Sequence, residues 1–171
     1  FISALLAPDD EIRGDMRVLR GRSRDLARNN PYVGAYLELV PTNVLGPYGM
    51  KLRAQTRDAQ GLLDVGVNRE VKDAWIEWST GPVTVDGMLP LLPLEEQLLG
   101  TAACEGENFV RRYFGPDLPH GLALQGIDPD MVDDSYNVGG ARIDPEIRLG
   151  FEMDSRGRRL AYHVLDQPYV P

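Results

Sequence analysis

Gly21-Arg22-Ser23-Arg24-Asp25-Leu26-Ala27-Arg28-Asn29-Asn30-Pro31-Tyr32 closes one amphipathic helix and opens the next. Either Asn29 or Asn30 can cap a following helix through its side-chain oxygen, and Pro31 suits the first turn because its missing N–H has no intrahelical partner there. Upstream, Ile12, Met16, Leu19 and Leu26 recur at helical spacing. They predict one apolar stripe, with the arginines on other faces. This first helix begins near Pro8, where Asp9, Asp10 and Glu11 favour the positive end of the macrodipole. Downstream, Val33, Leu37, Val40 and Val44 recur every three or four residues. Pro41 should kink that second helix, and Gly46-Pro47 should end it.

Working further outward, Met50–Gln55 alternates and reads as a short strand, and Asp64–Ser79 is the cleanest helical pattern. In that pattern Leu63, Val67, Val71, Ala74, Trp75 and Trp78 share a face, with Asp64 as the cap. A further helix is expected from Pro93 to Cys104, followed by strands at Glu107–Phe114 and Leu122–Ile127. Residues 128–145 are acidic, carry glycine and lack periodicity, which reads as a mobile loop. A hairpin closes the chain. Ile147, Leu149, Phe151 and Met153 alternate toward one face, and Leu160, Tyr162 and Val164 return after the Asp154-Ser155-Arg156-Gly157 turn. Helices first and strands later give the class α+β, with a mostly antiparallel sheet ending in a β-hairpin. No repeat or linker breaks the chain, so a single domain over 1–171 is expected, helical over about 8–45 and mixed over about 46–171.

With 171 residues and 43% hydrophobic content, the chain is long enough for one ordinary core. The net charge is −8. Proteins that capture nucleic acid draw most of their affinity from basic surface and counterion release, so the global balance argues against that task. The basic charge is nonetheless segregated, with six arginines between Arg13 and Arg28 against Asp15 and Asp25. Arginine suits planar, bidentate contacts with carboxylate or phosphate. Pairing with acidic faces of the same or a neighbouring subunit is the plainer expectation, and nucleic acid the alternative. Cys104 is the only cysteine, which excludes an internal disulfide and fits a reducing cytosol. Phe1–Ala7 is too short to cross a bilayer, and Met88–Leu94 is broken by Pro90 and Pro93. Neither a signal peptide nor a membrane span is expected. The chain starts without methionine and stops at Pro171, as a fragment of a longer protein would.

Candidates for chemistry are few. One cysteine and two histidines, Cys104, His120 and His163, have no metal-ligand spacing, so no metal site and no cofactor are expected. The chain contains no P-loop run and no nucleophile-elbow motif. Glu105 and Glu107 form the one possible acid–base pair, since close carboxylates push their pKa values apart. At a helix-to-strand turn, however, they more naturally accept hydrogen bonds or pair with Arg111 or Arg112. His120 reads as a loop residue, and His163 as a strand residue facing away from Tyr162 and Val164, neither with an evident partner. Trp75 and Trp78 read as core anchors, with a base-stacking platform as the alternative. No catalytic residue is assigned.

Four segments, in order, resemble the lambda-type tailed-phage portal proteins. They are Arg22–Tyr32; Asn43-Val44-Leu45-Gly46-Pro47-Tyr48-Gly49; Ala74-Trp75-Ile76-Glu77-Trp78; and Ile147–Arg158 with Ala161-Tyr162-His163-Val164. The last, of the form Gly-x-Glu-x-Asp-x-x-Gly-Arg-x-x-Ala-Tyr, is the most specific. Asp133–Asn137 matches poorly. The resemblance implies a wing-region fragment of a portal, without the stem, clip and crown. It also implies a homo-oligomeric ring, usually a dodecamer, made in the bacterial cytoplasm and placed at the capsid vertex of a virion. Such a ring passes double-stranded DNA and docks terminase, capsid and head–tail connector proteins, with no enzymatic activity, no cofactor and no membrane. The rival readings are a stand-alone nucleic-acid-binding module using the Arg13–Arg28 helix, and a hydrolase using Glu105 and Glu107.

Overall fold

The computed structural model describes residues 8–139 and 145–166. The side chains of residues 8–11 and 13 lie outside that description, and with them the acidic first turn Asp9, Asp10 and Glu11. Among the described residues four α-helices and five short strands follow in order: α1 (Pro8–Asn29), α2 (Pro31–Val44), α3 (Val65–Thr80), α4 (Leu91–Glu105), β1 (Phe109–Phe114), β2 (Leu122–Ile127), β3 (Glu146–Arg148), β4 (Phe151–Met153) and β5 (Arg159–Tyr162). The class is α+β, with two small antiparallel sheets. The chain divides into two compact units: Asn29–Ile127, and Phe1–Arg28 with Asp128–Pro171.

In the Asn29–Ile127 unit, Asn30 caps α2 by accepting the Tyr32 and Val33 amides at 2.9 and 3.3 Å. The helix runs through Pro41 to Val44, and the Leu45 amide returns to the Pro41 carbonyl. Val33, Leu37 and Val40 are half-buried and α2 packs on α4, whereas Val44 is exposed. Asp64 caps α3 through the Val67 amide at 3.0 Å. Pro90 precedes α4, and Pro93 sits in its first turn, where its lost N–H breaks no helical bond. Gly106 ends α4 at φ 87, a left-handed position that costs glycine little.

The core of this unit is Trp78, Val83, Leu91 and Leu94, with Trp75, Leu98, Leu122 and Leu124 packed around it. The Trp78 indole N–H donates to the Leu122 carbonyl at 2.9 Å, so the ring is buried without an orphaned donor. Both tryptophans are therefore core anchors, 5.3 Å apart between ring centroids. The rest of the expected α3 stripe is open, with Leu63, Val67 and Val71 at 52, 39 and 40% exposure. Strands β1 and β2 pair antiparallel from Phe109↔Ile127 to Phe114↔Leu122. Residues 83–85 back the far edge of β2, through Leu124 N–H to Val83 O at 2.8 Å and Val85 N–H to Leu124 O at 3.0 Å.

Met50–Gln55 is not a strand. The segment carries no regular secondary structure, and no neighbouring strand pairs with it among the described residues. Alternation specifies a pleated backbone, whereas a sheet also needs a partner edge in reach.

In the other unit, the expected long strand at 147–153 is broken. Leu149 and Gly150 both have positive φ, 51° and 77°, and make a tight turn between β3 and β4. A three-stranded meander β3-β4-β5 results, in place of a two-stranded hairpin. Gly150 is required here twice over, since a Cβ would lie 2.6 Å from the Asp133 carbonyl oxygen. The Asp154–Gly157 turn forms as expected, with Asp154 accepting the Arg156 and Arg158 amides, both at 2.9 Å.

Residues 128–139 are irregular, as expected of a loop, but carry backbone pairing that the expectation lacked. A 3₁₀ turn at Pro129–Met131 is capped by Asp128, Val132 bridges Val164, and Val138 bridges Ile147. Leu165 N–H reaches Met131 O at 2.7 Å, Asp133 N–H reaches His163 O at 3.0 Å, and Gly150 N–H reaches Tyr136 O at 3.0 Å. Isolated backbone bridges and aspartate turns leave no hydrophobic period in the sequence, and that is why the segment reads as a loop. Residues 140–144 of the expected loop lie outside the described residues.

Candidate functional site: an arginine helix and its acidic counterpart

On α1, Arg17, Arg20 and Arg24 stand at i, i+3 and i+7 and so share one face. That face meets the aspartates of 128–134. Arg17 grips Asp134 with two nitrogens, Nε to Oδ2 at 3.1 Å and Nη2 to Oδ1. Arg20 Nη1 lies 3.4 Å from Asp130 Oδ1, and Arg24 Nη1 donates to Asp130 Oδ2. Arg24 Nη2 also stands 3.6 Å from Asp128 Oδ1. Asp130 thus joins two guanidinium groups, and Asp128 holds it in place by accepting its backbone amide at 2.8 Å. The three arginines with Asp130 and Asp134 border a cleft of about 290 Å³, completed by Gly21 and Val132.

Burial inverts the expected amphipathicity of α1. Arg20 is only 6% exposed, whereas Ile12, Leu19 and Leu26 are 47, 58 and 48% exposed. A guanidinium is expensive to take from water without carboxylate partners, and the charge-assisted fork geometry is what offsets that cost. Three of the six arginines are spent on the chain's own aspartates. Among the described residues Arg22 and Arg28 remain exposed without a carboxylate partner.

The other sequence candidates separate from this site. Glu105 is the last residue of α4, Gly106 turns the chain, and Glu107 precedes β1, so both carboxylates sit at the helix-to-strand turn. Asn108 secures that turn by donating to the Leu98 carbonyl at 2.9 Å. Both histidines do have carboxylate neighbours, contrary to the expectation of none. His120 Nε2 is 3.7 Å from Glu77 Oε2, and His163 Nε2 is 3.4 Å from Glu152 Oε2, with the His163 ring edge-on to Tyr136. Glu77 lies far from His120 in sequence, whereas Glu152 reaches His163 from the neighbouring strand of the same meander. Cys104 is half-buried in α4. No group of three metal-ligating side chains occurs among the described residues. No described helix is long and apolar enough to cross a membrane.

Sequence reasoning missed Asp128, Asp130 and Asp134 as the partners of the arginines. The signal was present as an acidic segment and an arginine row of helical period, but 104 residues separate Arg24 from Asp128 in sequence. Asp86 is held below 3.8 chiefly by the Thr84 hydroxyl, then by the Met88 amide. Asp154 is held below 3.8 chiefly by the Arg158 amide, then by the Arg158 side chain. Each stabilises a turn.

The chain is similar to the probable portal protein of Halomonas phage phiHAP-1, at 30% identity over 158 residues. That match covers 90% of this chain but 30% of the relative, so the chain spans under a third of the length of the curated relative it matches. The family described as phage portal protein, lambda family, matches residues 2–170. With that match running nearly end to end, the chain belongs to the lambda family of phage portal proteins.

Proposed function

We propose that this chain is part of the wing region of a portal subunit whose full-length form assembles into a closed homo-oligomeric ring at one vertex of a phage capsid. The ring conducts double-stranded DNA and docks terminase, capsid and head–tail connector proteins. The chain itself catalyses nothing, and ATP hydrolysis belongs to terminase. The observation that carries this reading is the family match over residues 2–170. The arginine–aspartate ladder supports it against the nucleic-acid-binding alternative. Three of the helix's six guanidinium groups already hold carboxylates, which leaves less for phosphate, and net acidity suits a conduit that must let DNA slide. Position supports it against the hydrolase alternative, since Glu105 and Glu107 flank the chain reversal at Gly106.

Two measurements test the reading. The solution mass of the full-length protein, with particle images, should give a closed ring, and a monomer at micromolar concentration would refute it. Duplex-DNA binding by the 171-residue chain should be weak, with a shallow salt dependence. A steep salt slope would transfer the assignment to the nucleic-acid-binding module.

A further inference from the structure

Residues 51–55 form no regular element, yet the segment is held in place. The segment is pinned at both ends by side chains. At one end the Met50 amide donates to Glu95 Oε2 at 3.0 Å. Glu95 is a carboxylate only 5% exposed, and its other oxygen has no partner among the described residues. Gly49 makes this approach possible, since at φ 63 its Cβ would fall 2.4 Å from Glu95 Oε2. At the other end, Asn68 brackets Thr56, accepting its amide at 2.7 Å and donating to its carbonyl at 3.0 Å. Between these clamps the backbone groups of Lys51, Leu52, Arg53, Ala54 and Gln55 make no hydrogen bond among the described residues. A buried carboxylate is a costly fastening for an irregular loop, and two clamps restrict the segment before any partner arrives.

The same unit carries the complementary feature. Strand β1 pairs with β2 on one side only, and its other edge faces no strand among the described residues. In an antiparallel ladder every second residue turns its N–H and C=O away from the paired neighbour, so that edge offers open donors and acceptors. Val110 and Phe114 on β1 are 40 and 72% exposed.

We propose that residues 51–55 of one copy add to the free edge of β1 in the next copy, continuing the β1–β2 sheet across the subunit boundary. The proposal rests on the ring reading above and names a surface that closes the ring. Strand and edge are different patches, so every copy gives one and receives one, and a closed cycle leaves neither open. Charge selects the register. Antiparallel pairings that place Lys51 or Arg53 opposite Arg111 or Arg112 are repulsive. Of the pairings that avoid this, the longest sets Leu52 opposite Phe114, Arg53 opposite Tyr113, Ala54 opposite Arg112 and Gln55 opposite Arg111. That arrangement joins two exposed apolar side chains and puts a guanidinium beside a tyrosine ring.

The test is cysteine cross-linking in the full-length protein, with Cys104 and any other native cysteine replaced by serine as background and Leu52→Cys combined with Phe114→Cys. Directly opposed residues stand about 4.5–5.5 Å apart, within disulfide reach. Mild oxidation should give a ladder of covalent oligomers from assembled rings, and neither single-cysteine protein should do so. Rings that form without interchain disulfides, or a disulfide closing within one chain, would overturn the strand-addition surface while leaving the ring intact. A full-length protein that forms no ring at all would instead overturn the ring reading. As a second variant, Ala54→Pro removes one backbone donor from the segment. It should weaken subunit association at least tenfold while leaving amide exchange at Leu124 unchanged, and undiminished assembly would count against the proposal.

Discussion

Replacing Asp130 by alanine should loosen the unit containing the three-stranded meander and leave the tryptophan-bearing unit alone. In the native chain Asp130 serves both Arg20 and Arg24, with side-chain exposures of 36% for Asp130 and 6% for Arg20. Two unit charges about 4 Å apart attract by about 4 kcal/mol at an effective dielectric of about 20. Solvation offsets much of that. Fully exposed pairs contribute about 0.2–1 kcal/mol, and breaking a fully buried pair costs about 3–5 kcal/mol. A buried guanidinium against a one-third-open carboxylate falls between, at about 2 kcal/mol for Asp130→Ala. Tryptophan fluorescence is the wrong probe, because Trp75 and Trp78 both lie in the Asn29–Ile127 unit. Amide hydrogen exchange is the right one. The amides of Gly150, His163 and Leu165, all bonded within the ladder's own unit, should exchange about 30-fold faster. Those of Val83 and Leu124 should not change. Asp130→Asn should recover part of the loss, since an amide oxygen still accepts hydrogen bonds. The double change Arg20→Met with Asp130→Leu should cost less than Asp130→Ala alone, because no buried charge is then stranded. An acceleration below about threefold at Gly150, His163 and Leu165, or one shared equally with Val83 and Leu124, would refute the view that this carboxylate ties the helix to its unit.

Gly150→Ala should be far worse than Gly157→Ala, although both positions have positive φ, because only the first would press a Cβ into backbone at 2.6 Å. About 1 kcal/mol is expected at Gly157 and several times that at Gly150, read from the meander amides. Asp154 has its folded pKa held below 3.8, so its contribution is fully present above that value and fades as pH falls through the lower folded one. Acid titration of the turn amides should show this dependence, and Asp154→Asn should flatten it. Trp78→Ala should cost about 3–5 kcal/mol in urea unfolding, since it empties the core and leaves the Leu122 carbonyl without its donor.

Much of the local structure was legible in the chain because it is local chemistry. Asn30 with Pro31, Asp64 before Val65, and the Asp154–Gly157 bend each satisfy backbone groups within four residues, and each forms where the sequence places it. Trp75 and Trp78 followed from period, although Leu63, Val67 and Val71 on the same stripe stay open. Reading failed wherever the partner was remote. Met50–Gln55 has the alternation of a strand, but pairing depends on an edge that nothing nearby provides. Leu149-Gly150 looked like mid-strand because the alternation of Ile147, Leu149, Phe151 and Met153 runs straight across a turn. Residues 128–139 looked structureless because bridges to Val164 and Ile147 carry no period of their own.

The amino-acid sequence by itself therefore determined where helices begin and end, the α+β class, and the family, since capping, turn chemistry and motif order are properties of neighbouring residues. Only the tertiary structure decided which face of α1 is buried. Hydrophobic period favoured Ile12, Leu19 and Leu26, yet Arg20 lies inside, because three aspartates from the far end of the chain arrive at its side and make a buried guanidinium affordable. Charge pairing across more than a hundred residues depends on topology, and topology is not written in any one window of the chain.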